Sequence, residues 1–120
     1  MLRARFVWPF LLALACHAVL GCDNTPTVPV PPPEMEAIVV GPPDGGDEGN
    51  VTVTGASGAS GAGDVVMVFD VDLGAGVMVE AEEDGSFEVI IWARVGDELV
   101  IQIKRGGGLS DEQTTIVPSG

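Results

Sequence analysis

The side chains best suited to nucleophilic or metal chemistry are rare in this chain and lie near its start. The sequence contains one histidine, His17, and two cysteines, Cys16 and Cys22. A serine or cysteine nucleophile needs a positioned base, and zinc is usually bound by histidine nitrogen and cysteine sulfur. Neither requirement is met beyond Cys22. We therefore expect no catalytic residue, no metal ligand, no cofactor and no enzymatic activity in the body of the chain.

The first 21 residues have the pattern of an export signal. Arg3 and Arg5 form a short positive region, and an apolar run follows from residue 6 to residue 20. Residues 19–22, with the sequence VLGC, resemble a bacterial lipobox. The resemblance implies that residues 1–21 are a lipoprotein signal peptide, and that Cys22 is lipidated and becomes the first mature residue.

Three alternatives to lipidation at Cys22 follow from the same segment. Cys16 ends a weaker lipobox that lacks a branched first residue, and an ordinary signal peptidase would have to cut after Ala18. A retained membrane anchor is the third alternative. The apolar run is short of the roughly 20 residues that a comfortable span needs, and Pro9 interrupts it.

Cleavage before Cys22 would leave 99 residues, enough for one small domain. This part keeps three basic residues, Arg94, Lys104 and Arg105, against all 18 acidic ones, so its formal charge is −15. Such a charge argues against nucleic acid as a partner, because no basic patch can replace its counterions. Anionic membrane surfaces would also be repelled, so membrane attachment would depend on the lipid.

The segment 22–36 is rich in proline and predicts an extended polyproline II stalk or a disordered linker. From residue 37 to residue 118 the pattern is one of short strands rich in valine and isoleucine and bounded by turn residues. The predicted strands are 37–40, 50–55, 64–73, 77–82, 86–94, 98–104 and 113–117. Seven such strands predict an all-β Greek-key sandwich. Between them, the glycine-rich segment 55–63 predicts a flexible loop.

Alternation along the strands predicts which side chains face the core. Val77, Val79 and Ala81 share one face of their strand, and the odd-numbered residues from 87 to 93 share one face of theirs. A three-residue turn at 83–85 would pair these strands as a hairpin, with Ala81 opposite Phe87 and Gly85 in a left-handed conformation. In 64–73, the odd-numbered residues share one face, and Val66, Val68, Asp70 and Asp72 share the other.

Residues 50–118 resemble the bacterial immunoglobulin-like (Big-type) modules of surface and secreted proteins. The stretches that carry the resemblance are VTVTG at 51–55, DGSF at 84–87, GDEL at 96–99 and IVP at 116–118. Carboxypeptidase regulatory-like domains share much of this pattern and are the close alternative. The resemblance implies an immunoglobulin-like sandwich, but its motifs are turn chemistry and specify a fold better than a function.

Two features of the predicted outer face are candidates for binding sites, one for calcium and one for a protein. The hairpin would place Glu80 opposite Glu88, with Asp70 and Glu82 nearby, and calcium could relieve that repulsion. A solvated acidic face is the interpretation we favour, because no Asp-x-Asp-x-Asp-Gly loop is present. Trp92 would share a face with Ile90, Val100, Val66, Val68 and Met78. That face is either an apolar interaction patch or, as we favour, covered by a loop or by segment 44–48.

The sequence therefore predicts a lipid-anchored, non-enzymatic, immunoglobulin-like module of the cell envelope with a structural or adhesive role. It would face the periplasm or the outside, on the inner or the outer membrane. Its partners would be the membrane, through the lipid, and a protein, with no nucleic acid and no evident small-molecule substrate. The alternatives are a calcium-dependent or regulatory module of transthyretin-like shape and a periplasmic binder or inhibitor of an envelope protein.

Overall fold

Alternating runs of valine and isoleucine give this chain its strands, because β-branched side chains pack well on a pleated surface. The computed structural model describes residues 29–120, so the predicted signal peptide and Cys22 lie outside the described residues. A short 3₁₀ turn, Met35–Ala37, leads into eight strands. These are β1 (Ile38–Val40), β2 (Glu48–Gly55), β3 (Val65–Asp70), β4 (Ala75–Glu80), β5 (Phe87–Arg94), β6 (Glu98–Arg105), β7 (Gly108–Leu109) and β8 (Gln113–Ile116).

The strands form two antiparallel sheets that pack face to face. One sheet has the order β1-β2-β5, and the other has the order β4-β3-β6, with β7 and β8 both pairing with β6. The chain therefore crosses between the sheets after β2, β4 and β5. This arrangement confirms the predicted all-β Greek-key sandwich of immunoglobulin-like type.

The core lies between the sheets and is made of inward-facing aliphatic side chains. Its completely buried members include Val51 and Val53 from β2 and Leu99 and Ile101 from β6. Phe87 of β5 is the one buried aromatic residue among residues 29–120. The predicted inward faces of the fourth and fifth strands are confirmed, because their apolar residues line this core.

The inward face of β3 differs from the predicted one. Val66 and Val68 are completely buried, whereas Met67 and Phe69 lie on the outer side of the sheet. The assignment of Val66 and Val68 to an outer patch with Trp92 is therefore wrong. Both faces of this strand are apolar. An aspartate usually indicates the exposed face of a strand, but Asp70 lies on the inner face and is buried.

The hairpin predicted between the fourth and fifth strands is also absent from the described part of the chain. β4 pairs with β3, and β5 pairs with β2, so the turn at 83–85 joins two different sheets. Consequently Ala81 and Phe87 are not ladder partners, although both side chains enter the core. The left-handed glycine was predicted correctly, since Gly85 has a φ of 85°.

The loop that follows β2 is held to this turn by hydrogen bonds. The Gly58 N–H donates to Asp84 O (2.8 Å), and the Ser60 N–H and Oγ both donate to Gly85 O (3.2 and 3.0 Å). Ala59, between them, is buried in the core. The glycine-rich segment 55–63 is therefore anchored to the domain near its middle, while several residues on both sides of Ala59 are exposed.

At the N-terminal side, contacts with the sandwich begin before residue 37. Pro33 is buried, the Glu34 N–H donates to Ala59 O (3.0 Å), and Met35 packs against the core. Residues 33–36, which end the predicted proline-rich segment, thus lie on the domain.

An ion pair closes the same region from the other sheet. Arg105 at the end of β6 makes two 2.8 Å hydrogen bonds to the carboxylate of Asp64, and the Gly61 N–H donates a third (2.7 Å). Asp64 is buried, while the Arg105 side chain is half exposed. The hydrogen bond from Arg105 is the main reason why the pKa of Asp64 lies below its ordinary value.

We expect Gly85→Ala to destabilise the domain more than Gly96→Ala. Both glycines have positive φ, which costs an L-residue about 1–2 kcal/mol. A Cβ at position 85 would also overlap the backbone oxygen of Ser60, whereas a Cβ at position 96 meets no atom within 4 Å. Urea unfolding of the two variants measures the difference. Equal losses would contradict the close packing of the turn against segment 55–63.

The Arg105–Asp64 pair predicts a loss of stability in acid. Because the folded-state pKa of Asp64 is lowered, its contribution is present above the unfolded-state pKa and is lost as pH falls through the folded value. Arg105→Gln should therefore lower the melting temperature at neutral pH but have little effect once Asp64 is protonated. Lys104→Gln, a neighbouring exposed cation without an ion pair in the described residues, is the control. A pH-independent deficit in Arg105→Gln would contradict this role.

Candidate functional site

Three aspartates converge at one end of the five-stranded sheet. Asp70 ends β3, Asp72 lies in the turn that follows, and Asp97 immediately precedes β6. Because Asp70 is the ladder partner of Leu99, the pairing of β3 with β6 brings Asp97 to the end of β3. One carboxylate oxygen from each of the three lies within 4.8 Å of the others. We call these three residues the aspartate cluster.

A backbone N–H group orients each carboxylate of the aspartate cluster. Leu73 donates to Asp70 Oδ1 (3.0 Å), Glu98 to Asp72 Oδ2 (2.8 Å) and Arg94 to Asp97 Oδ2 (3.0 Å). These donors come from the turn after β3 and from both sides of the turn before β6. One oxygen of each carboxylate is thus fixed by the backbone.

Asp70 is the most unusual member of the aspartate cluster, because its side chain is fully buried (0% exposed). Its Oδ2 has no hydrogen-bond partner among the described residues. A buried polar atom without a partner costs about 1–3 kcal/mol, and a buried charge costs more. Asp97 is also buried, while Asp72 is exposed.

The electrostatics of the aspartate cluster follow from this burial. Loss of hydration is the main cause that raises the pKa of Asp70, and the neighbouring Asp97 carboxylate raises it further. The pKa of Asp97 is lowered, and the neighbouring Asp70 carboxyl is the main cause. With no cation bound, Asp70 therefore takes up a proton at a higher pH than an ordinary aspartate does.

A second feature is an apolar groove on the outer face of the five-stranded sheet, with a volume of about 500 Å³. Met67 and Phe69 of β3, Met78 of β4 and Val100 of β6 form its floor and sides. Met78 is 69% exposed, although methionine is an apolar side chain. Val71, which lies between Asp70 and Asp72 in the sequence, also lines the groove, so the groove adjoins the aspartate cluster. We call this feature the apolar groove.

The apolar patch predicted around Trp92 is divided between the two sheets. Trp92 and Ile90 lie on the outer face of the three-stranded sheet, where they are about half exposed opposite Asn50 and Thr52. Met78 and Val100 lie on the other sheet, in the apolar groove. The expectation that a loop or segment 44–48 covers Trp92 is wrong, since its side chain is 48% exposed.

The predicted face-to-face arrangement of Glu80 and Glu88 is wrong as well. Glu80 is the ladder partner of Val65 in one sheet, and Glu88 is the partner of Thr54 in the other. The two side chains reach the same shallow depression at the edge of the sandwich, together with Glu82. Among the described residues, however, the acidic side chains that converge are those of the aspartate cluster, which shares only Asp70 with the predicted set.

Sequence reasoning missed Asp97 and gave Asp72 no role. Two local patterns could have drawn attention to these residues, namely the alternation Asp70-Val71-Asp72 and the turn Gly96-Asp97. What the sequence does not contain is the long-range pairing of β3 with β6, which makes these two patterns neighbours.

Comparisons with known proteins identify no relative. No family model, no curated protein and no solved structure matches the chain. Within residues 29–120 there is also no helix of the length and apolar character that a membrane crossing requires.

The buried carboxyl leads to a stability prediction in the presence of a chelator. Asp70→Asn should raise the melting temperature at neutral pH. Its amide oxygen can accept from Leu73, and its amide N–H can donate to Asp97 without placing a charge in the core. The gain should shrink as pH falls, because a raised folded-state pKa means that wild-type Asp70 regains its proton and its stability in acid. A lower melting temperature at every pH would contradict this description of the pair.

Proposed function

We propose that this chain is a lipid-anchored, non-enzymatic binding module of the cell envelope, and that the apolar groove is its protein-binding surface. The apolar groove is the observation that carries the proposal. Soluble domains rarely leave a continuous apolar surface open to water unless a partner covers it. Met78 and Phe69 are both well exposed there, on a domain whose composition is otherwise strongly acidic.

The chemistry of the partner follows from charge. Within residues 29–120, the only cationic side chains are Arg94, Lys104 and Arg105, against a large excess of carboxylates. Glu112 is one of the residues that line the apolar groove. Such a surface favours a protein that presents apolar side chains surrounded by lysine or arginine, because opposite potentials steer association and exclude other acidic proteins. The same argument disfavours a second copy of this chain.

Envelope attachment is the other half of the proposal, and it is supported by the VLGC motif and the basic and apolar residues before it. A lipid at Cys22 would hold an acidic domain at a membrane that its charge would otherwise avoid. The proline-rich residues between Cys22 and Pro33 would then set its distance from the bilayer. On this proposal the role is structural or adhesive.

Protease treatment of intact cells tests the envelope part, with Cys22→Ala as the comparison. The wild-type chain should fractionate with membranes, and the variant should not. Digestion of the wild-type domain from outside would support an adhesive role at the surface. Protection from the protease would place the partner in the periplasm. Membrane retention of the variant would contradict lipidation at Cys22.

Site-specific photocrosslinking in the native cell tests the apolar groove as a binding surface. A photoreactive residue at position 78 should give one discrete adduct with a basic protein, and the yield should fall at high salt. The control is position 39, because Val39 is as exposed as Met78 (67% against 69%) but lies on the three-stranded sheet. Equal adducts at both positions, or an adduct of two copies of this chain, would contradict the proposal.

A further inference from the structure

We propose that the aspartate cluster is a calcium site, in which Asp70, Asp72 and Asp97 each supply one carboxylate oxygen to the ion. Two independent observations carry the proposal. The three carboxylates converge, with one oxygen of each within 4.8 Å of the others. In addition, Oδ2 of the fully buried Asp70 has no partner among the described residues. The site does not depend on the proposed function, because it rests on different residues from those of the groove floor.

The spacing of the oxygens fits one calcium ion. Calcium–oxygen distances are about 2.3–2.6 Å, so two oxygens on the same ion lie at most about 5 Å apart. All three pairs in the aspartate cluster meet this limit. Ionised carboxylates at such distances repel one another, and either a proton or a cation among them relieves that repulsion.

Backbone hydrogen bonds prepare the carboxylates for binding. One oxygen of each is already held by an N–H group, from Leu73, Glu98 and Arg94 respectively. The second oxygens are Oδ2 of Asp70 and Oδ1 of Asp72 and Asp97, and none of them receives a hydrogen bond in the described structure. The backbone thus limits the rotation of the side chains, which reduces the entropy lost when an ion is bound.

Calcium fits this donor set better than the other common divalent ions. The cluster offers only carboxylate oxygen, whereas zinc prefers nitrogen and sulfur. Magnesium demands near-ideal octahedral geometry and gives up water reluctantly, while calcium accepts six to eight oxygens in irregular arrangements. Three carboxylates leave several positions to water through the exposed side at Asp72. We expect an affinity of about 10⁻⁴–10⁻³ M, as in extracellular modules.

Local charge favours occupation by a cation. The only ion pair in residues 29–120 joins Arg105 to Asp64, so no member of the aspartate cluster is neutralised by a direct salt bridge. The positive charge of Arg94 acts on Asp97, but Arg94 makes no ion pair with it. A bound ion would join the turn after β3 to the start of β6 and would fix Val71, which lines the apolar groove.

Calorimetric titration and thermal melting of the full chain test the site, with calcium chloride as the ligand and magnesium chloride as the comparison. We expect one ion per chain. At about 10 mM calcium the melting temperature should rise by at least about 5 °C over that in chelator, and magnesium should have a smaller effect. Absence of binding heat together with an unchanged melting temperature would overturn the proposal.

Asp72→Asn is the decisive variant, because residue 72 is exposed and the asparagine oxygen can still accept from Glu98. It should fold and lose most of the calcium-dependent shift. The matched control is Asp111→Asn, which removes the same charge at an exposed position outside the cluster, and it should keep the full shift. A shift that survives in Asp72→Asn, or that disappears equally in Asp111→Asn, would show non-specific screening and overturn the site.

Discussion

Burial of Asp70 is the constraint on which the rest of this structure depends. Strand alternation in β3 turns Val66, Val68 and Asp70 toward the core, so the last inward position holds a carboxyl where an aliphatic side chain is usual. Two neighbouring segments of the chain contact the Asp70 carboxyl. The turn after β3 supplies the Leu73 N–H, and the pairing with β6 brings Asp97 alongside. A proton or a cation must satisfy the remaining oxygen, because a lone buried carboxylate is too costly.

The two ends of the sandwich solve the same problem differently. At the far end of the five-stranded sheet, the buried Asp64 is fully paired with Arg105 and with a backbone N–H, so it stays ionised. At the near end, Asp70 faces carboxylates and has no cationic side chain as a partner in residues 29–120. The hydrogen-bonding needs of the Asp64 carboxylate are therefore met within the protein, and this pair contributes to stability. Those of the Asp70 carboxyl are met only with a proton or an ion, which is why the aspartate cluster, and not Asp64, is the candidate for binding.

The strands and the fold class could be predicted from the sequence. Short runs rich in valine and isoleucine, separated by turn residues, are compatible with few structures other than strands of an all-β fold. The inner face of β3 could not be predicted from the sequence. Both faces carry apolar side chains, those of Val65, Met67 and Phe69 on one and those of Val66 and Val68 on the other. The aspartates at 70 and 72 are typical of a solvent-exposed face, although they follow Val66 and Val68 on the same face of the strand. The Asp84-Gly85 turn predicted a hairpin because its local chemistry is that of one, yet it joins two sheets. The pairing of β3 with β6, which assembles the aspartate cluster, is a long-range contact that no local pattern specifies.

A crystal structure of the full chain at saturating calcium would test the central claim about Asp70 most directly. One ion should lie about 2.3–2.6 Å from Asp70 Oδ2, with oxygens of Asp72 and Asp97 in the same coordination shell. An Asp70–Asp97 contact of about 2.5–2.7 Å with no ion between the carboxylates would show that a shared proton alone satisfies the buried group. That result would contradict the calcium site.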